Sequence, residues 1–232
     1  MPAKVRLIFF SLPLARIFIP CFLYLGIGNN DVFAQALPKK RLPVDIRFSC
    51  TAPAVLGGAN FKTAYKGSLE VSGGLSLYNK KSSWSVSVLY RYTSVQAGIN
   101  ALALSTNIFT EVQLKSLMLQ ISRRIYEDDK FNLQAFAGAG HAFIDARRTL
   151  CLQDPPRMYK NHWQSGIELG MRAQERVWVA LHTSVTRYAW AFDYREHCLD
   201  TYYTFPKTSP DKGIWFFYVG LSTRIFLTDP AE

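Results

Sequence analysis

Ser184, His182 and Glu168 are the residue types of an acyl-transfer triad: a nucleophile, a base and a carboxylate that orients the base. All three share one parity in two stretches that alternate polar with apolar, 161–173 and 175–190, so strands there would put them on one face. The chemistry would be hydrolysis or acyl transfer on a lipid. Other signatures of such an enzyme are missing. The sequence has no G-x-S-x-G elbow, no glycine-rich phosphate loop, no H-x-x-x-H and no C-x-x-C. His141, His162, His182 and His197 are scattered. His162 and His182 are the nearest approach to a metal pair, and lining of a polar interior is the plainer reading. The expectation is a chain with no catalytic residues, no metal and no cofactor.

A second set of residues carries charge where a buried face is expected. Asp45, Arg47, Lys66, Glu70, Arg91, Glu168, Arg172 and Arg224 all fall on the polar side of alternating stretches. Acids and bases of both signs on one inner face would pair there, because an unpaired buried charge costs several kcal/mol.

These residues need strands to position them, and period-two alternation dominates the chain. Trp84, Val86, Val88, Tyr90 and Tyr92 oppose Ser83, Ser85, Ser87, Arg91 and Thr93. Trp163, Ile167, Leu169 and Met171 oppose His162, Gln164, Gly166, Glu168, Gly170 and Arg172. The same pattern recurs in 43–51, 64–79, 130–145, 175–190 and 214–226. In 110–124 the phase changes between Leu114 and Leu117, which predicts a bulge near Ser116. That makes eight strands. Their connections alternate long and short: 52–63, 79–82, 95–109, 127–129, 146–160, 174–175 and 191–212. Short turns at one end and long loops at the other are the layout of an outer-membrane barrel. The fold expected is all-β, an eight-stranded antiparallel outer-membrane-type β-barrel. A soluble barrel with its apolar face inward is the alternative.

The first 36 residues are organised differently. A basic start with Lys4 and Arg6, an apolar run and the small residues Ala34 and Ala36 form a signal-peptide pattern, with cleavage after Ala34 or Ala36. The predicted organisation is a leader at 1–36, the barrel at 37–226 and a short tail at 227–232. Charged residues are only 19% of the chain and aromatics 14%, a balance that suits a surface in lipid better than one in water. The formal charge of +10 fits an acidic lipopolysaccharide surface. No dense Lys/Arg block accompanies a reading motif, so direct nucleic-acid binding is not expected.

The long loops hold the remaining candidates. Cys151 and Cys198 lie in the third and fourth of them, and export permits a disulfide between them. Cys50 is the third mature cysteine, so other pairings stay open. Arg157, Tyr159, Trp190, Tyr194, Tyr202 and Tyr203 give these loops a basic, aromatic character. Such side chains suit contact with lipopolysaccharide or another envelope protein, or form an interfacial girdle.

Three stretches and a closing strand carry a family likeness: LPVDIRFSCTAPAVLGGANF at 42–61, KFNLQAFAGAGHAFID at 130–145, NHWQSGIELGMRAQERVWVALHTSVTRYAW at 161–190, and YVGLSTRIF at 218–226. In these the chain resembles the TraO family of conjugative-transposon transfer proteins from Bacteroidetes. The resemblance implies a role in conjugative DNA transfer at the outer membrane, with other transfer proteins as partners. It implies no catalytic residues.

Overall fold

Alternating small polar and large apolar side chains give eight strands, each satisfying its backbone on two neighbours. They are β1 (Val44–Gly57), β2 (Tyr65–Tyr78), β3 (Trp84–Ala97), β4 (Glu111–Glu127), β5 (Phe131–Arg147), β6 (Met158–Gln174), β7 (Val177–Tyr188) and β8 (Ile214–Phe226). A short helix, α1 (Ala59–Ala64), joins β1 to β2. The structure, a computed structural model, describes residues 44–78, 83–97, 111–147, 158–196, 206 and 209–227. The leader expected at 1–36, Cys151, Arg157, Cys198, Tyr202 and Tyr203 lie outside the described residues, as do residues 228–232 of the expected tail.

Every strand pairs antiparallel with the next, and β8 returns to β1, so the sheet is a closed barrel in sequence order. Closure leaves no strand at the edge of the sheet. One end carries the short connections 79–83, 128–130 and 175–176, together with the start of β1 and the end of β8. The other carries the longer connections and α1. The 128–130 turn is held by Asp128, whose Oδ1 accepts from the amides of Lys130 (2.8 Å) and Phe131 (2.6 Å). Its Oδ2 accepts from the Tyr126 hydroxyl at 2.7 Å. These donors favour the ionised form and hold the Asp128 carboxyl below its ordinary range.

Three sequence expectations change. First, 52–57 belongs to β1 rather than to a loop, pairing with β8 from Ala52↔Val219 to Gly57↔Trp215. Pro53 lacks an amide hydrogen, and it sits where the ladder with β2, last paired at Thr51↔Glu70, has ended. Second, β4 has no bulge at Ser116. Its pairing with β3 runs unbroken from Trp84↔Arg123 to Gln96↔Glu111, and the irregularity with β5 falls at Arg124/Tyr126. Val112, Leu114, Ser116 and Met118 therefore all point inward. The apparent change of phase is a change in what fills the interior. Third, a bulge in β2 between Gly67 and Leu69 reverses the faces beyond it. Tyr65 turns inward and Lys66 outward.

Candidate functional site

The interior is built in three layers. At the short-turn end Tyr78, Trp178 and Phe226 form a small apolar floor, with the Tyr78 and Phe226 rings edge-to-face at 5.3 Å. The middle is polar and charged. The loop end is filled by aromatic and aliphatic side chains.

The polar layer is one connected network. Arg91 on β3 places Nη2 2.5 Å from Glu70 Oε2, and its Nη1 donates to Gln164 Oε1 on β6 at 2.9 Å. Thr93 and Thr51 also donate to Glu70, at 2.8 and 3.4 Å. Gln164 Nε2 donates to Ser184 Oγ at 2.6 Å. Ser184 lies 3.1 Å from His182 Nε2, and His182 Nδ1 lies 3.0 Å from Glu168 Oε1. Glu168 Oε2 is 3.7 Å from Arg47 and 3.5 Å from Arg224, and both arginines donate to Gln134 Oε1. Asp45 completes the set, 3.7 Å from Arg47 Nε. Three carboxyl groups thus face three guanidiniums, all buried, so acids and bases are matched in number within the layer.

Of the eight charged residues expected inside, six are brought together there. The other two are corrections. Lys66 is exposed, because the Gly67–Leu69 bulge turns it out. Arg172 is half-buried at the short-turn end, where it donates to the Glu175 carbonyl at 3.1 Å. Gln134 and Gln164 join the charged groups. Their inward parity was readable in the sequence, but not their role as bridges between strands far apart in the chain.

Ser184, His182 and Glu168 do stand in the order of an acyl-transfer triad. Glu168 can only accept when ionised, so Nδ1 carries a hydrogen, and in the neutral ring Nε2 would accept from Ser184. The same Ser184 oxygen accepts from Gln164, and Glu168 is shared with two arginines. The adjoining cavity, lined by Arg47, Glu70, Arg91 and His182 among others, has a volume of ≈ 20 Å³. That is room for about one water and not for a lipid ester. The arrangement serves as a staple between β6 and β7. The two histidines do not converge. The His162 ring stacks on Tyr188 (5.2 Å) and that of His182 on Phe136 (5.0 Å). Among the described residues no group of three His, Cys, Asp or Glu side chains is arranged to hold a metal.

Above this layer α1 turns Phe61 down into the barrel mouth. Its ring meets Tyr65 (4.8 Å), Phe192 (5.1 Å), Trp190 (5.4 Å) and Phe216 (5.8 Å), and it is fully buried. Asp211, in the connection before β8, locks the plug by accepting from the Phe61 amide at 2.9 Å. Asp211 in turn pairs with Phe192 through the backbone. Gly58 enters this turn at φ 93°, a conformation that favours glycine. Trp190, expected as a contact residue of a long loop, is instead 1% exposed inside the plug. A bulky indole near an open barrel end gains more by filling it than by standing in water. Tyr194 packs half-buried against the same cluster, while Tyr159 is 75% exposed on the outer wall. Phe61 and Asp211 had no sequence signal, since both sit in connections.

The outer wall is apolar. Leu117, Leu119 and Ile121 on β4 are about half exposed, as are Val86 and Val88 on β3, Ile167 and Leu169 on β6, and Leu221 on β8. Soluble monomers rarely leave large contiguous apolar patches to water, and such patches mark protein or membrane contact. A polar, filled interior inside an apolar wall is the inside-out arrangement that lipid demands.

No protein-family profile and no curated protein matches the sequence. Among solved structures, the chain is similar to a major outer membrane protein from Thermus thermophilus, with a TM-score of 0.47 at 10% identity over 78% of this chain and 99% of that one. It is also similar to Neisserial surface protein A, with a TM-score of 0.46 at 10% identity over 78% and 96%. A third is the attachment invasion locus protein of Yersinia pestis, with a TM-score of 0.43 at 14% identity over 80% and 99%. From its own strand pairing and facing pattern, the chain is an eight-stranded antiparallel β-barrel of the outer membrane.

Proposed function

We propose that this barrel acts without catalysis, as a closed outer-membrane scaffold that stabilises the envelope and presents a surface for adhesive contact. The carrying observation is that the interior is blocked twice, by the Arg91–Glu70 layer and by the plug around Phe61. Transport, and any chemistry inside the lumen, need a path inward, and among the described residues neither layer leaves one. What remains for function is the loop end and the wall. Deleting the gene and restoring it tests this reading. Loss of resistance to detergents and of cell–cell contact, both restored by the intact chain, is the expected outcome. A stable open current from the purified protein in planar bilayers would contradict it.

A second reading makes the barrel a component of a conjugative transfer apparatus, together with other transfer proteins. Its support is the likeness of 42–61, 130–145, 161–190 and 218–226 to the TraO family. Mating frequency in a deletion strain separates the two. A drop of orders of magnitude with an intact envelope favours transfer.

A further inference from the structure

The interior arginines Arg47, Arg91 and Arg224 have carboxylate partners, whereas Arg187 on the wall has none among the described residues. Arg187, near the loop end of β7, shares the outward parity of Leu181 and Val185. It stands directly opposite Trp163 on β6 and Trp215 on β8. Its guanidinium carbon lies 4.6 Å from the Trp163 ring centre and 5.4 Å from that of Trp215. The two indoles meet edge-to-face at 6.5 Å. Among the described residues no carboxylate is within ion-pair reach of Arg187; its Nε is buried beside Gly213 without a hydrogen-bond partner, which leaves the two Nη groups to face outward.

Two features say where this cation sits. Ten residues separate it from Val177 at the short-turn end, and with about 3.3 Å per residue and a tilt near 40° that is a height of about 25 Å. This is the height of an outer-membrane apolar band, so Arg187 lies at the outer headgroup plane. Its head also bends toward Gly213, just above β8, where a side chain would come within 3.1 Å of Nε. The head thus rises away from the lipid tails, as a snorkelling arginine does.

The indoles fix the plane of the guanidinium but cannot satisfy its N–H donors, and a charge left so at a membrane surface calls for an anion. A phosphate accepts two parallel N–H bonds from the paired Nη1 and Nη2 groups. We propose that Arg187, held between Trp163 and Trp215, is a lipid-phosphate site, and that its occupant is a phosphate on the lipid anchor of lipopolysaccharide. The proposal deepens the outer-membrane reading above and rests on the wall facing lipid. A second cation on the wall provides the control: Arg123 lies over Trp84 at 5.5 Å, at the short-turn end, facing the opposite leaflet.

The test uses the full mature chain in phosphatidylcholine nanodiscs. Binding of lipopolysaccharide is measured by native mass spectrometry, with phosphorylated lipopolysaccharide, enzymatically dephosphorylated lipopolysaccharide and phosphatidylglycerol as probes. The expected result is preference for the phosphorylated form, weakened about tenfold or more by R187M or R187Q, since hydrogen bonds to charged groups are being removed. R123Q should leave that preference unchanged. Equal binding of both lipopolysaccharides by the unsubstituted chain overturns the site without need of any variant. Equal binding by R187M and the parent does the same. Phosphatidylglycerol binding as tightly overturns the choice of occupant. A chain that does not enter nanodiscs overturns the membrane wall itself, whereas an inserted chain indifferent to phosphate overturns this site alone.

Discussion

Arg91 reaches diagonally across the β2–β3 ladder to Glu70, with Nη2 2.5 Å from Oε2, while the residue paired directly with Glu70 is Thr93. The diagonal matters because it leaves Nη1 free to cross the lumen to Gln164. One guanidinium thereby ties β2, β3 and β6, and through Ser184 and His182 the tie continues to Glu168.

Breaking this pair from one side should cost about 3–5 kcal/mol, because the remaining charge stays buried without its partner. R91M and E70Q are each expected to lower the urea midpoint of the refolded barrel strongly. The double variant E70Q/R91M should be less destabilised than the sum of the two. Additive losses in that cycle would show that the pair is not coupled.

The plug can be loosened without touching the wall. D211A leaves the buried Phe61 amide without its acceptor, a loss of about 1–3 kcal/mol. F61A removes the ring at the centre of the cluster, about 3–5 kcal/mol. Both should speed protease cleavage in the connections beside α1 and before β8 while the strands stay protected. Mass mapping of the fragments checks this. Unchanged cleavage in both variants would mean that the plug does not hold those connections.

Gly166 is required by packing. A methyl group there would meet the Thr183 carbonyl oxygen at 2.2 Å and Phe136 Cζ at 2.6 Å, and Phe136 is the ring on which His182 stacks. G166V should therefore cost about 3 kcal/mol or more, or prevent folding. S165V, one residue along on the exposed face, should be tolerated. Heat-modifiable gel mobility reads both.

The 128–130 turn carries a pH dependence. The folded Asp128 carboxyl titrates below its unfolded value, so its contribution is fully present above the unfolded pKa, about 4. That contribution is lost as pH falls through the lower folded value. Protection of the Lys130 and Phe131 amides, taken relative to the intrinsic exchange rate at each pH, should stay high at neutral pH and fall below pH about 4. D128A should show low protection at every pH. Equal exchange in the two proteins at neutral pH would contradict this.

Much of the fold was legible in the sequence. Alternation located eight strands, and the alternating loop lengths placed both barrel ends. The charged layer was legible as well, because Asp45, Arg47, Glu70, Arg91, Glu168 and Arg224 each occupy an inward parity. What failed did so for physical reasons. Val112 and Leu114 are apolar and inward, and parity read from hydrophobicity assigns any apolar residue to the lipid side. Lys66 lies beyond a bulge that only pairing with β3 reveals. Trp190 belongs to a connection that folds back into the barrel, a contact set by α1 and Asp211 from distant parts of the chain. Arg187 was readable by parity alone, since it stands on the face of Leu181 and Val185.

The central claim is that lipid meets the apolar face and that the polar face is sealed inside. Spin labels at Val88, Leu119, Leu169 and Leu221, on a cysteine-free background in nanodiscs, measure this directly through collision with oxygen and with a water-soluble nickel chelate. All four are predicted to favour oxygen strongly, and a label at Ser87 is predicted to be shielded from both. Four labels open to the nickel chelate would place that wall in water and contradict the account.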